Sequence, residues 1–191
     1  MSRVSALAVS AVFAAAGAMF SPSYATDAAQ FMTRFSGEWR GTGRVLVGPD
    51  HGTKFHCALA GDPSRSETSF TMNGKCWIGQ LSALVRARVR YNAETNRFYG
   101  AFLDGAAGNG VDIVGERSGE GLVMSLSRGM AQGRLTAEPV GNNQMKVMIS
   151  LVDRANDREI PVVAMGLAKE GATSLPRYYQ PEMTGSVARA E

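Results

Sequence analysis

From residue 37 onward, apolar and polar side chains alternate. "EWRGTGRVLV" places Trp39, Gly41, Gly43, Val45 and Val47 on one face and Arg40, Thr42 and Arg44 on the other. "TKFHCAL" groups Phe55, Cys57 and Leu59, and "SFTMNGKCWI" groups Phe70, Met72, Cys76 and Ile78. In "ALVRARVRY", Ala83, Val85, Ala87, Val89 and Tyr91 alternate with Arg86, Arg88 and Arg90. Successive side chains of a strand point to opposite faces, so a period of two reads as half-buried strands. A helix would scatter the same arginines around its axis. "RFYGAFL", "GVDIVGE", "GLVMSLS", "GRLTAE", "QMKVMISLV" and "EIPVVAMGLA" continue the pattern. "GPDHG", "GDPS", "YNAETN", "DGAAGNG", "SGEG" and "RANDR" interrupt it with turn-forming residues. Such spacing predicts about ten short strands between residues 37 and 170 and an all-β sandwich or barrel. Long helical patterns between the strands are missing, which argues against a parallel α/β sheet.

The flanks read differently. Arg3 precedes an apolar run over 6–16, broken at Ser10, and "SPSYA" then sets Ser23 and Ala25 in a small-x-small arrangement. The run falls short of the roughly 20 apolar residues that span a bilayer. It reads as a secretory signal over residues 1–25, cleaved after Ala25, and predicts a soluble, exported, periplasmic protein. No Cys follows the run, so lipid attachment there is not expected. Residues 26–36 carry Asp27 with Gln30 three positions on, which resembles a capping box and predicts a short helix. Residues 37–170 form one strand-rich domain, and 171–191, punctuated by Pro176, Pro181 and Gly185, reads as a flexible tail.

The formal net charge is +3, and the bases are spread along the chain. Nucleic-acid binding needs a dense basic face, so that class is set aside. The two cysteines, Cys57 and Cys76, lie on apolar strand faces, and an even pair in an exported protein predicts a disulfide. With "GDPSRSE" as the turn, a hairpin symmetric about Ser64 would not set 57 opposite 76. A bulge at Asn73–Gly74 is the expected remedy.

Gly37-x-Trp39 on a first strand, behind a short helix and ahead of a long meander, resembles the calycin-like barrels. These include lipocalins, fatty-acid-binding proteins and nitrobindin-like haem-binding barrels. "GEWRGTGRV" and "YNAETNRFYGAFLDG" are similar to bacterial lipocalin-like envelope proteins. The resemblance implies an antiparallel up-and-down barrel. It also implies that Trp39 packs across one end beside the helix, with Phe31 or Phe35 as a lid. Gly41 and Gly43 would then either let the strand bend or keep room for a ligand. Haem-binding nitrobindin-like members use a late His. This chain has only His51, in a turn, and His56, on the outward face, so no haem ligand is carried over.

Catalytic chemistry finds little support. Two early histidines make a poor basis for a Ser–His–acid triad. Asp112 and Glu116 share an outward face with Val114, which does not suit a glycosidase pair. "GNG" and "GEG" lack the strand–loop–helix context of a phosphate loop, and a zinc site needs more His or Cys. The expectation is a non-enzymatic barrel with no cofactor and no metal. It binds a small apolar or amphipathic ligand in a lumen lined by Trp39, Val45, Phe55, Leu59, Phe70, Met72, Val85, Val89, Phe98 and Phe102. The alternative is a protein-binding envelope module such as a periplasmic protease inhibitor, whose barrels also carry an early Trp and a C-x-L…C spacing like "CALAGDPSRSETSFTMNGKC". The Arg86–Arg88–Arg90 stripe is the sharpest surface feature. It reads either as a contact for anionic lipid, polysaccharide or a partner, or as a solvated strand face guarding against edge pairing.

Overall fold

Strands with one apolar face bury it most completely when the sheet closes on itself, which also removes its edges. The computed structural model describes residues 23–64, 68–103 and 110–171. It shows ten strands: β1 (Gly37–Val45), β2 (Lys54–Ser64), β3 (Ser69–Ile78), β4 (Leu81–Asn92), β5 (Arg97–Leu103), β6 (Val111–Ser118), β7 (Gly121–Arg128), β8 (Ala131–Val140), β9 (Gln144–Asp153) and β10 (Arg158–Lys169). Each pairs antiparallel with its sequence neighbour, and β1 pairs with β10 to close the barrel. The proposed signal over 1–25 lies largely, and the tail beyond Gly171 wholly, outside the described residues.

Helix α1 (Ser23–Met32) and a 3-10 turn (Thr33–Phe35) precede β1. Ala28, Phe31, Met32 and Phe35 recur at helical spacing and are all buried against one end of the barrel. The helix starts three residues before the position expected from sequence. Asp27 therefore lies inside it rather than at its cap, and its carboxylate accepts from Arg117 Nη1 at 3.2 Å. Gly37, at φ +101°, links this turn to β1 in a conformation closed to most side chains.

The β2–β3 hairpin corrects the expected turn. Pairing runs unbroken from His56↔Trp77 to Ser64↔Ser69, with Cys57 directly opposite Cys76. No bulge occurs at Asn73–Gly74. "GDPS" belongs to the strand, and the reversal falls beyond it. Pro63 is tolerated there because β1 follows β2 only as far as Gly61, so no neighbour on that side asks for its missing N–H. The one register shift of the β9–β10 pair lies between Pro161 and Val163.

The inward glycines of β1 serve the backbone. A Cβ at Gly41 would collide with the carbonyl oxygen of Gly166 and the Cα of Leu167 on β10. At Gly43 it would meet the Phe55 ring and the Ala164 carbonyl. Bending and close strand approach thus account for both positions.

Arg86, Arg88 and Arg90 stand exposed on the outer face of β4, and Arg86 Nε donates to Asn73 Oδ1 at 3.1 Å. Replacing all three by Gln is expected to change unfolding free energy by less than about 1 kcal/mol, as exposed positions usually do. Denaturant titration checks this, and a larger loss would show a stabilising pair on that face.

Candidate functional site

Inward positions are apolar along most of every strand, with Arg117, Arg128 and Lys169 at strand ends, but their burial changes along the barrel axis. At the helix end they form a sealed floor. Trp39 is 1% exposed, and its indole Nε1 donates to the Phe35 carbonyl at 2.9 Å. Phe31 packs on Phe35 and Phe98 with ring centroids 5.6 and 6.0 Å apart, and Phe35 meets Phe70 at 6.2 Å. Leu59, Val89, Leu122, Met145 and Leu167 complete this layer, all buried. Cations close its rim. Lys169 Nζ lies 5.1 Å from the Trp39 ring centroid, and the Arg117 guanidinium lies 4.7 Å over Phe31. Arg34 pairs with Glu120 across the helix and the β6–β7 turn.

Toward the other end the inner wall is less fully buried. Val45, Phe55, Met72, Cys76, Val85, Phe102, Val111, Leu126, Leu135, Ile149 and Met165 face inward but are only half-buried. At the lip, Ile78, Leu81 and Leu151 are exposed. No helix covers this end among the described residues. Asp153 caps the β9–β10 turn at the lip. Asn156 Nδ2 donates to its Oδ2 at 2.8 Å, and this bond, with backbone N–H groups of Asn156 and Ala155 and the nearby Arg158, holds its carboxyl below the ordinary range.

The lining expected from sequence therefore divides in two. Trp39, Leu59, Phe70, Val89 and Phe98 belong to the floor, packed by the helix. Val45, Phe55, Met72, Val85 and Phe102 belong to the less buried wall. Trp39 sits where the calycin resemblance implies, and both Phe31 and Phe35 lie against the same floor layer. Cys57 and Cys76 are joined across the inner wall, with Cα atoms 4.1 Å apart. His56 faces outward and stacks on Trp77, with centroids 5.0 Å apart and planes 10° from parallel. His51 lies exposed in the β1–β2 loop, and Asp112, Val114 and Glu116 are exposed together on β6.

Clefts lie outside the barrel interior. Two flank α1: one of about 480 Å³ lined by Gln30, Arg34, Asn142 and Lys169, and one of about 500 Å³ lined by Tyr91, Asn96 and Phe98. Asp27, Phe31 and Arg117 line both. A third, of about 400 Å³, runs over the outer face of β1–β3 beside Arg44, Lys54, His56 and Trp77. Sequence reasoning did not single out Trp77 or the lip residues Leu81 and Leu84. Their signal was an apolar cluster around a two-residue turn.

Among the described residues no group of three or more His, Cys, Asp or Glu side chains converges as a metal site would. No helix among them is long and apolar enough to cross a membrane. Most charged side chains of the wall face outward and most inward ones are apolar. No protein-family model matches the chain, and no curated protein matches it. The fold itself, a closed ten-strand antiparallel barrel with a helix at one end, is compatible with the calycin architecture.

Proposed function

We propose that this chain is an exported, lipocalin-like barrel that binds a small apolar or amphipathic molecule in its lumen, without catalysis. The gradient of burial along the inner wall carries the reading. Inward side chains are sealed at the floor and only partly buried toward the mouth, where they pack against the floor cluster. Strand number points the same way. About eight strands leave room for side chains or one small ligand, and diameter grows with each added strand. Apolar walls with few polar groups suit a hydrocarbon tail, while a polar head would remain at the lip. The disulfide favours an oxidising compartment such as the periplasm.

Titration of the purified protein with a fluorescent fatty acid is expected to give saturable binding at one probe per chain. Val85 lies on the less buried wall, opposite Gly74 on β3. Val85→Glu is expected to weaken the probe by about tenfold or more, because a carboxylate is costly in an apolar site. Absence of saturable binding, or an unchanged affinity in a folded Val85→Glu protein, would refute the lumen reading and favour a surface-acting module.

A further inference from the structure

At the mouth, among the described residues, the paired positions of β2 reach Trp77 on β3 and those of β5 reach Arg86 on β4. The tip carries Ile78, Leu81 and Leu84, which are 48%, 78% and 59% exposed. Leu84 lies on the outer face opposite Lys75, so it serves neither core nor lumen. Three large aliphatic side chains around one two-residue turn form an apolar point, a feature that marks interaction sites rather than ordinary surface. Trp77 stands beside it, half-buried against His56.

Among the described residues cations predominate around this point. Lys54 and Lys75 are exposed at its base, and Arg86 and Arg88 follow on β4. The carboxylates on strands β1–β4, Glu38 and Asp62, both sit toward the helix end, opposite Ala60 and Thr71. Asp50 in the β1–β2 loop is the single acid of this side near the mouth among the described residues. Apolar tip, adjacent indole and basic collar match, in order, the hydrocarbon edge, the headgroup layer and the anionic phosphates of a membrane.

We propose that the β3–β4 hairpin docks the barrel, mouth first, on an anionic phospholipid surface. Ile78 and Leu81 enter the interface, Trp77 rests at headgroup level, and Lys54 and Lys75, with Leu84 beside Lys75, meet the lipid phosphate layer. The lumen then opens against the bilayer, where amphipathic molecules are stored. This goes beyond the lumen reading and adds Trp77, Leu84, Lys54 and Lys75 to the lip residues Ile78 and Leu81.

Flotation of the full chain with vesicles tests it. Vesicles of phosphatidylglycerol and phosphatidylethanolamine in equal parts are expected to carry the protein upward, less so as salt is raised. Vesicles of phosphatidylcholine alone are expected to leave it behind. Leu81→Glu with Leu84→Glu should weaken partition by about tenfold for each leucine withdrawn. Lys54→Gln with Lys75→Gln should weaken it by about fivefold per cation. All four positions are exposed, so both variants should keep the parent's thermal midpoint, and the lysine variant, which changes no inner-wall position, should keep its fatty-acid probe affinity in solution. That retained affinity separates a failure of docking from a failure of the lumen. Equal partition onto neutral vesicles, no partition onto anionic ones, or indifference to the leucine changes would overturn the proposal. The last two would leave an acidic protein surface as the hairpin's counterpart.

Discussion

Trp39→Ala is expected to cost the barrel about 3–5 kcal/mol, the range for removing a fully buried large aromatic. The indole is the centre of the floor. It is almost wholly buried, it holds the Phe35 carbonyl through Nε1, and Lys169 lies over its ring. Its removal leaves a cavity between the 3-10 turn and β1 and an unpaired carbonyl beside it. Trp39→Phe separates the two effects. It keeps most of the volume but drops the hydrogen bond, and should cost about 1 kcal/mol for the bond plus a smaller packing loss. Denaturant unfolding of both variants gives the numbers. A loss under about 1 kcal/mol for Trp39→Ala would mean that the helix is not seated on the barrel by this residue.

The position of Trp39 was legible because a local motif carries it. Gly37-x-Trp39 needs only a positive-φ glycine and two residues of strand to return the indole over the turn it has just left. The strands were legible for a similar reason. Arg86, Arg88 and Arg90 declare the outer face of β4 wherever β4 lies. What could not be read is whatever depends on the ends of neighbouring strands. Val85 and Val89 occupy the same face of β4 with the same side chain. One is half-buried and the other is 3% exposed, because the helix plugs only one end of the barrel.

The same limit explains the hairpin errors. "GDPS" has turn composition, yet it extends β2, since a proline is harmless once β1 has ended at Gly37↔Gly61. Asp27 looks like a cap by its spacing to Gln30, but its partner is Arg117, ninety residues away in sequence. Leu81 and Leu84 appear in sequence as ordinary strand residues. Only their pairing at the mouth, Leu81 with Ile78 beside the turn and Leu84 with Lys75 on the outer face, makes them exposed.

Loss of the Cys57–Cys76 bridge is expected to lower stability by roughly 3 kcal/mol in the chain-entropy model. The bridge links residues 19 apart in sequence, a loop near the size for which that figure applies. In a domain of this length, such a loss should lower the thermal midpoint by about 6–12 °C. The bridge also has a positional role. It ties β2 to β3 at a directly opposed pair on the inner face, two residues from Leu59↔Gly74. A slip of one residue would turn the apolar row of β3 outward, and the bond forbids it once formed. Cys57→Ala with Cys76→Ala removes the crosslink but also trims two side chains from the wall. Reduction of the parent protein removes the crosslink alone. The two should agree within about 1 kcal/mol if the crosslink is the main contribution. Intact mass before and after reductant, followed by alkylation, establishes the starting state. Two thiols alkylated without reductant in the folded protein would show that the pair is open, and neither loss would then be observed.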